Sequence, residues 1–184
     1  MTMYLKSFAP WLAYALAAAI GDWRTGAAAG VATGVVLIAT RRAGHGVDLL
    51  TTVTVVFLGV IGVLAVWQPH SPLRGYMAAL SLGTLALAAG LSLWLRRPFT
   101  LSIARRTTPE ALWAHPVFIR TNEVITAVWA ASFAVTALAC AALSRTHGAS
   151  WPVVATQVTG FLVPAAFTRR YPDRVRRQFA AATA

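Results

Sequence analysis

The sequence predicts an all-α bundle of about six membrane-spanning helices, and three observations support that prediction. Hydrophobic residues make up 58% of the 184 positions and charged residues only 11%, far fewer than the surface of a soluble domain carries. Apolar runs recur along the chain, several near twenty residues, the length of helix that crosses a bilayer. Short basic segments separate these runs. We therefore expect a single transmembrane domain over residues 1–184.

Six apolar runs follow one another, two short and four longer. Several of the longer runs end in Trp or Tyr, whose amphipathic rings favour the headgroup layer. The expected spans cover residues 4–20, 26–40, 49–67, 76–95, 124–143 and 151–167. Three interpretations of the first two runs stay open. Both cross the membrane fully, both form a shallow re-entrant hairpin, or the first is a signal peptide that is removed.

Positive charge predicts the orientation of these spans. With the N-terminus inside, only Arg24, Arg74 and Arg145 among the sixteen Lys and Arg residues fall on the outer side. The others lie in cytoplasmic segments, including a basic tail at residues 168–184. This is the positive-inside pattern, so both termini are expected in the cytoplasm. The same pattern explains the net charge of +11 without a nucleic-acid partner.

The second run contains a doubled GxxxG pattern. Gly26, Gly30 and Gly34 are four residues apart and therefore lie on one helix face, where a neighbouring backbone can approach closely. The alanine-rich first run is the obvious partner, which predicts helix packing within the chain. A homo-oligomer formed through the same face is the alternative.

Catalytic and metal chemistry have few candidates in this sequence. The four histidines fall in predicted loops on both sides of the membrane and cannot form one site, so no metal or cofactor is expected. The polar side chains of the last four spans are hydroxyls, one cysteine and one amide, Gln157. The amide is expected to form a hydrogen bond with another helix. For an enzyme, the candidate acid–base groups near the cytoplasmic face are Glu123, Asn122 and Asp48.

The longest polar interval, residues 96–123, is expected to lie in the membrane interface. Arginines and apolar residues alternate in it, as in segments that bind anionic lipid. Thr108 and Pro109 predict the start of a short helix that ends near Ala114, and Thr121 is predicted to cap the next span. The residues expected to bind lipid or a partner protein are Arg96, Arg97, Arg105, Arg106, Arg120 and Trp113. Whether the interval docks a protein or only connects two spans stays open.

The order of these features is similar to that of the bacterial intracellular septation protein A family, small inner-membrane proteins of the cell envelope. The shared plan is two short runs, two longer runs, a Trp-basic-Pro junction, a loop with Leu-Trp, and an Asn entering a Trp-containing span. The matching residues are Trp94, Arg97, Pro98, Trp113, Asn122, Trp129, Phe133 and Trp151. The family carries a lysine about one turn after the last tryptophan, where this chain has Ala155 and Gln157.

The resemblance implies a non-enzymatic role in envelope maintenance at the bacterial inner membrane, with division or wall-synthesis membrane proteins as partners. We therefore expect a scaffold or interaction protein that contacts anionic lipids through its basic loop and tail. Two other classes stay open. One is a small transporter or channel built from two three-span halves, with a path lined by Gln157, Thr136 and Thr84. The other is a membrane enzyme that acts on a lipid or isoprenoid.

Overall fold

The computed structural model of the protein describes residues 2–40, 49–145 and 151–182. Within these ranges the chain forms seven α-helices and three short 3₁₀ helices and no β-strand, which confirms the prediction of an all-α fold. The residues cluster into two compact units, Met1–Met77 and Ala78–Ala184.

The first unit contains three α-helices and a 3₁₀ helix. They are α1 (Thr2–Ile20), α2 (Trp23–Ala39), α3 (Leu49–Trp67) and the 3₁₀ helix Pro72–Tyr76. α2 packs against both α1 and α3, so it forms the centre of the unit.

A tight turn joins α1 to α2, and Asp22 organises it. Its carboxylate accepts the backbone N–H groups of Arg24 and Thr25, both at 3.0 Å. In return the Thr25 hydroxyl accepts the backbone N–H of Asp22 at 2.9 Å. This reciprocal capping box satisfies N–H groups that have no partner within the helix, so only two residues separate α1 from α2.

The glycine face of α2 lies in the interior of the first unit. A Cβ atom at Gly26 would lie 2.7 Å from Ala18 Cβ and 2.9 Å from the Tyr14 carbonyl oxygen, both on α1. A Cβ at Gly30 would meet both α1 and α3, since Leu58 Cδ1 lies at 2.6 Å on its α3 side. All three glycines of the pattern are buried. The doubled GxxxG face is therefore filled by helices of the same chain.

The second unit begins within α4 (Met77–Trp94). Two long helices dominate it, preceded by a short helix and two 3₁₀ turns. In order these are α5 (Phe99–Ala104), the 3₁₀ turns Arg105–Thr107 and Glu110–Leu112, α6 (Pro116–Ser144) and α7 (Trp151–Ala182).

α6 and α7 pack along each other in antiparallel directions. Trp129 Nε1 donates to the Thr168 hydroxyl at 2.9 Å near the middle of α6, and Cys140 Sγ lies 4.0 Å from the Val153 carbonyl oxygen further along. As the residue number rises in α6, the number of its partner in α7 falls. The early turns of α6 and the late turns of α7 therefore lie at the same end of the unit.

Pro164 interrupts the hydrogen bonding of α7, and α6 compensates for it. A proline has no N–H to give to the carbonyl four residues earlier, so the Gly160 carbonyl loses its usual donor. The Ser132 hydroxyl of α6 donates to that carbonyl at 2.8 Å. The bond satisfies a buried acceptor and ties the two helices together where Gly160 packs against Thr136.

Among the residues that the structure describes, two helical segments are long and apolar enough to cross a membrane by length and composition. They are Pro72–Trp94, with 23 residues, and Pro116–Ser144, with 29 residues. Shorter apolar stretches occur at Ala9–Ala18, Trp23–Ala39 and Thr51–Trp67.

The helix α6 begins before the predicted span at residues 124–143. The helix begins at Pro116, not near Val124, because the His115 Nδ1 atom accepts the Val117 N–H at 3.3 Å and caps it. Pro116 takes the first helical position, where a missing N–H costs nothing. Thr121 lies inside the helix, where its hydroxyl donates to the Val117 carbonyl at 2.7 Å. The prediction that Thr121 caps this helix was therefore wrong.

The loop before α6 also differs from the prediction. The expected helix ending near Ala114 is only a 3₁₀ turn, Glu110–Leu112, and no side chain caps its start. The backbone of Thr108 is extended, and its carbonyl accepts Trp113 Nε1 at 2.9 Å. This hydrogen bond from the Trp113 indole takes the place of the predicted Thr108 cap.

At the C-terminal end of the second unit, α7 continues as one helix to Ala182.

Candidate functional site

Exposed arginines are concentrated at one end of the second unit, and we call this group the basic surface. Its members are Arg96, Arg97, Arg105, Arg106, Arg120, Arg169, Arg170, Arg174 and Arg177. The antiparallel packing of α6 and α7 places Arg120 and the arginines after Thr168 at the same end. α5 is tied to that end by a hydrogen bond from Thr100 to the Asn122 carbonyl. Residues distant in sequence therefore contribute to a single cationic region.

Arg96 sits where α4 stops. Its φ of 54° lies in the left-handed region, which a non-glycine residue adopts at a cost. Two backbone bonds hold it there. The Arg97 N–H donates to the Ser92 carbonyl at 2.8 Å and the Arg96 N–H to the Leu93 carbonyl at 2.9 Å. This is the Schellman arrangement, and it turns the chain so that both arginines leave the helix end exposed.

α5 is buried below these arginines and holds the loop against the unit. Phe99, Leu101 and Ile103 are each less than a tenth exposed. The Phe99 N–H donates to the Ser92 hydroxyl at 3.2 Å, and that hydroxyl donates to the Ala89 carbonyl at 2.7 Å. The segment expected to lie in the interface thus has a packed apolar side of its own, while its arginines are exposed.

A buried hydroxyl and carbonyl network connects α5 to α6. Thr100 Oγ1 donates to the Asn122 carbonyl at 3.0 Å and lies 2.8 Å from Thr126 Oγ1. Thr100 and Thr126 are fully buried. Since a buried polar group without a partner is costly, this network fixes the position of α5 on α6. It holds the arginines that flank α5 in a defined place.

Arg105 and Trp113 contact each other on the basic surface. The guanidinium carbon of Arg105 lies 5.3 Å from the centre of the Trp113 ring, within cation–π range. The bond from Trp113 Nε1 to the Thr108 carbonyl orients the ring. Trp113 is half-buried and Arg105 is exposed, so the pair combines an amphipathic ring and a cation at one site. Interfacial lipid-binding segments have the same combination.

Two of the three candidate acid–base residues, Asn122 and Glu123, form side-chain bonds within α6. The Asn122 amide donates to the Phe118 carbonyl at 2.9 Å within its own helix. Glu123 forms an ion pair with Arg120 at 3.2 Å, one helical turn away and largely exposed to solvent. Such exposed pairs contribute little to stability. Asp48, the third candidate, lies outside the described residues.

The three candidate channel-lining residues differ in how far they are buried. Thr136 is buried, and its hydroxyl donates to the Ser132 carbonyl at 2.7 Å. Gly160 packs directly against its side chain. Gln157 and Thr84 are half-buried. Within the described ranges the Gln157 amide makes no hydrogen bond to another helix. An aqueous path along Thr136 would need open space beside its side chain. A close contact between two helices occupies that position instead.

Several structural residues carry no local signal in the sequence. Thr100, Thr126 and Ser132 look like any other hydroxyl residue in an apolar run, yet each makes a contact between helices. Gly160 stands alone, without a second glycine four residues away. The helix pairing that brings these residues together is a tertiary feature. Only the unpaired carbonyl that Pro164 creates could have pointed to Ser132 or another nearby donor.

No family model, no curated protein and no solved structure matches this chain.

Proposed function

We propose that this protein is a six-span α-helical protein of the bacterial inner membrane with both termini in the cytoplasm. In this proposal it is a non-enzymatic scaffold of the cell envelope that holds anionic lipid and partner proteins against its basic surface. The observation that carries the proposal is the concentration of arginines at one end of a unit whose helix sides are apolar.

The distribution of polar and apolar side chains supports a lipid environment. Large apolar residues point outward, with Leu87 76% exposed and Leu138 73% exposed. Hydroxyls and an amide are buried instead, namely Thr51, Thr54, Ser92, Thr100, Asn122, Thr126 and Thr136. A water-soluble protein rarely exposes so much apolar surface. In a bilayer the outward residues meet lipid tails and the inward hydroxyls join helices.

Helix lengths support six crossings. α1, α2 and α3 have 19, 17 and 19 residues, and at 1.5 Å per residue this is about 25–28 Å, close to the hydrocarbon thickness of a bilayer. α4, with 18 residues, is similar, α6 is longer, and the first 17 residues of α7 reach as far as α2.

The basic surface supports the orientation and the scaffold role. A cytoplasmic leaflet rich in anionic lipid attracts each nearby arginine by about 1 kcal/mol. The Trp113 ring adds an anchor of the kind found at membrane interfaces. Partners among division or wall-synthesis membrane proteins are part of the proposal because of the resemblance to the septation protein A family. The basic surface would provide the contact.

Neutralising Arg97 and Arg106 should weaken the preference of the protein for anionic lipid. Both side chains are exposed and make no hydrogen bond within the described ranges, so Arg97→Gln with Arg106→Gln removes charge and leaves the packing intact. At about 1 kcal/mol per arginine, the relative affinity for phosphatidylglycerol should fall roughly thirtyfold. Quenching of tryptophan fluorescence by brominated phosphatidylglycerol, relative to brominated phosphatidylcholine, measures this preference in reconstituted membranes.

Arg145→Gln is the matched control, because Arg145 follows the opposite end of α6, about 38 Å from Arg120 at 1.5 Å per residue. It should leave the preference unchanged. An equal loss in the control variant would show that total charge matters and not the basic surface. Unchanged lipid preference in the double variant would contradict the proposal.

The proposed orientation predicts opposite accessibility at the two ends of α4. In a Cys140→Ala background, Gly75→Cys and Ala111→Cys each place one thiol at an exposed position. A membrane-impermeant maleimide should label the Gly75 site in intact spheroplasts and the Ala111 site only in inverted vesicles. Labelling of both sites from the same side would exclude an odd number of crossings between them and with it the six-span arrangement.

A further inference from the structure

A cavity of about 350 Å³ opens at one end of the first unit. Its lining comes from the α1–α2 turn and from the segment that follows α3. The lining residues are Asp22, Trp23, Arg24, Pro69, His70 and Arg74. Two guanidinium groups and an imidazole therefore face one concave space whose size suits a small polar group.

Arg24 is held in place at this cavity by a backbone bond. Its Nε atom donates to the Ala65 carbonyl at 2.9 Å, which links the start of α2 to the last turns of α3. Within the described ranges nothing bonds its two Nη atoms. Arg74 comes from the 3₁₀ helix after α3, and its side chain makes no hydrogen bond in those ranges either. Both arginines retain N–H donors for an anionic ligand.

Asp22 is the one acidic residue in the lining, and its charge is already engaged. The N–H of Thr25, joined by the N–H of Arg24 and the Thr25 hydroxyl, holds the pKa of Asp22 below its usual value. The Asp22 Oδ1 atom accepts both of these N–H groups. The carboxylate thus acts as the cap of α2. With it ionised, the two arginines leave the lining with a net positive charge.

The surroundings of the cavity have the character of a membrane boundary. Ile20, two residues before Asp22, is 89% exposed, and Trp67, two residues before Pro69, is 82% exposed. Large exposed apolar side chains thus adjoin a charged cavity on both chain segments that form it. An amphipathic ring such as that of Trp67 favours the layer where lipid headgroups lie.

We propose that this cavity binds a phosphate group through Arg24 and Arg74. A guanidinium forms paired, charge-assisted hydrogen bonds with phosphate oxygens, and two of them on one cavity provide the positive charge that a phosphate diester or inorganic phosphate requires. His70 adds a further polar contact. The exposed Ile20 and Trp67 favour a phospholipid headgroup as the source. The site shares no residue with the basic surface and does not depend on its role.

Arg74→Gln tests this site with little risk to the fold, because the side chain is exposed and unbonded within the described ranges. Purified full-length protein in a phosphate-free detergent is titrated with phosphatidylcholine and followed by native mass spectrometry. A parallel titration with inorganic phosphate is followed by calorimetry. Loss of one charge-assisted contact should weaken binding about tenfold in whichever arm binds. A phospholipid-only effect identifies a headgroup as the ligand, and a phosphate-only effect identifies a soluble one.

Arg145→Gln serves as the control, because it removes an arginine that belongs neither to the cavity nor to the basic surface. It should bind both probes as the unchanged protein does, and diacylglycerol, which lacks the phosphate, should not bind in an Arg74-dependent manner. Arg24→Lys, which keeps the charge but not the planar fork, should weaken binding less than Arg24→Gln. Equal binding by the Arg74 variant and the unchanged protein in both arms would overturn the proposal, as would no binding of either probe.

Discussion

Gly160→Ala is expected to destabilise the second unit by about 1–3 kcal/mol, the usual cost of overfilling a packed interface. A Cβ at Gly160 would lie 2.7 Å from Thr136 Cγ2 and 2.9 Å from Thr136 Cβ, with Thr136 Oγ1 closer still. Rotation of the threonine side chain moves Cγ2 and Oγ1 but leaves Cβ in place. The helices must therefore separate, which would strain the Ser132 bond to the Gly160 carbonyl.

The aromatic cluster beside this contact would be disturbed as well. Phe133 lies 5.2 Å from both Trp129 and Phe161, measured between ring centres, and Phe161 follows Gly160 directly. Thermal unfolding of the purified protein in detergent measures the loss of stability.

Gly90→Ala is the matched control for this substitution. Gly90 lies within α4, and no atom within 4 Å would meet its added Cβ. Since alanine favours helix over glycine by about 1 kcal/mol, this variant should be as stable as the unchanged protein or slightly more stable. Thr136→Ala should partly rescue Gly160→Ala, because it removes two of the three clashing atoms. Equal melting temperatures for Gly160→Ala and Gly90→Ala would show that α6 and α7 do not pack as described.

Gly26→Ala should destabilise the first unit by a similar amount. The new Cβ would lie 2.7 Å from Ala18 Cβ and 2.9 Å from the Tyr14 carbonyl oxygen. Neither atom is the end of a flexible side chain, so α1 and α2 must move apart. At Gly30 and Gly34 the nearest atoms belong to Leu58 and Val55 on α3. The end of the Leu58 side chain can move more easily than backbone, so Gly30→Ala should lower the stability less than Gly26→Ala.

Gly59→Ala on α3 is the control within the same unit, since nothing lies within 4 Å of its added Cβ. Thermal unfolding in detergent and size-exclusion chromatography should be measured together on these variants. A fall in stability at constant particle size supports packing of the glycines within one chain. A change from oligomer to monomer without loss of stability would instead assign the GxxxG face to contacts between copies.

Apolar runs predicted the helices in the middle of the chain closely. The run at residues 49–67 became α3, Leu49–Trp67, and the run at 76–95 became α4, Met77–Trp94. The local sequence sets these helix boundaries, because each coincides with the end of an uninterrupted apolar stretch. The last span was predicted to end at residue 167, but α7 continues to Ala182. A change from apolar to basic residues marks a change in environment, and helical hydrogen bonds continue through it.

Two prolines of the second unit occupy different helix positions. Pro116 opens α6, because its missing N–H lies at the first helical position. Pro164 lies inside α7, where a hydroxyl from α6 supplies the donor that the proline lacks. The same residue type therefore starts one helix and is tolerated within another. The difference depends on what lies opposite each one.

By itself the sequence determined the all-α class, the apolar stretches that form the helices, the glycine face of α2 and the presence of many arginines near residues 96–120 and 169–177. Composition and periodicity act over a few neighbouring residues, so these features can be seen without a fold. Only the tertiary structure decided that α6 and α7 run antiparallel and place both groups of arginines at one end. It also decided that Thr100 anchors α5 and that Arg24 and Arg74 line one cavity, because such contacts join residues far apart in the chain.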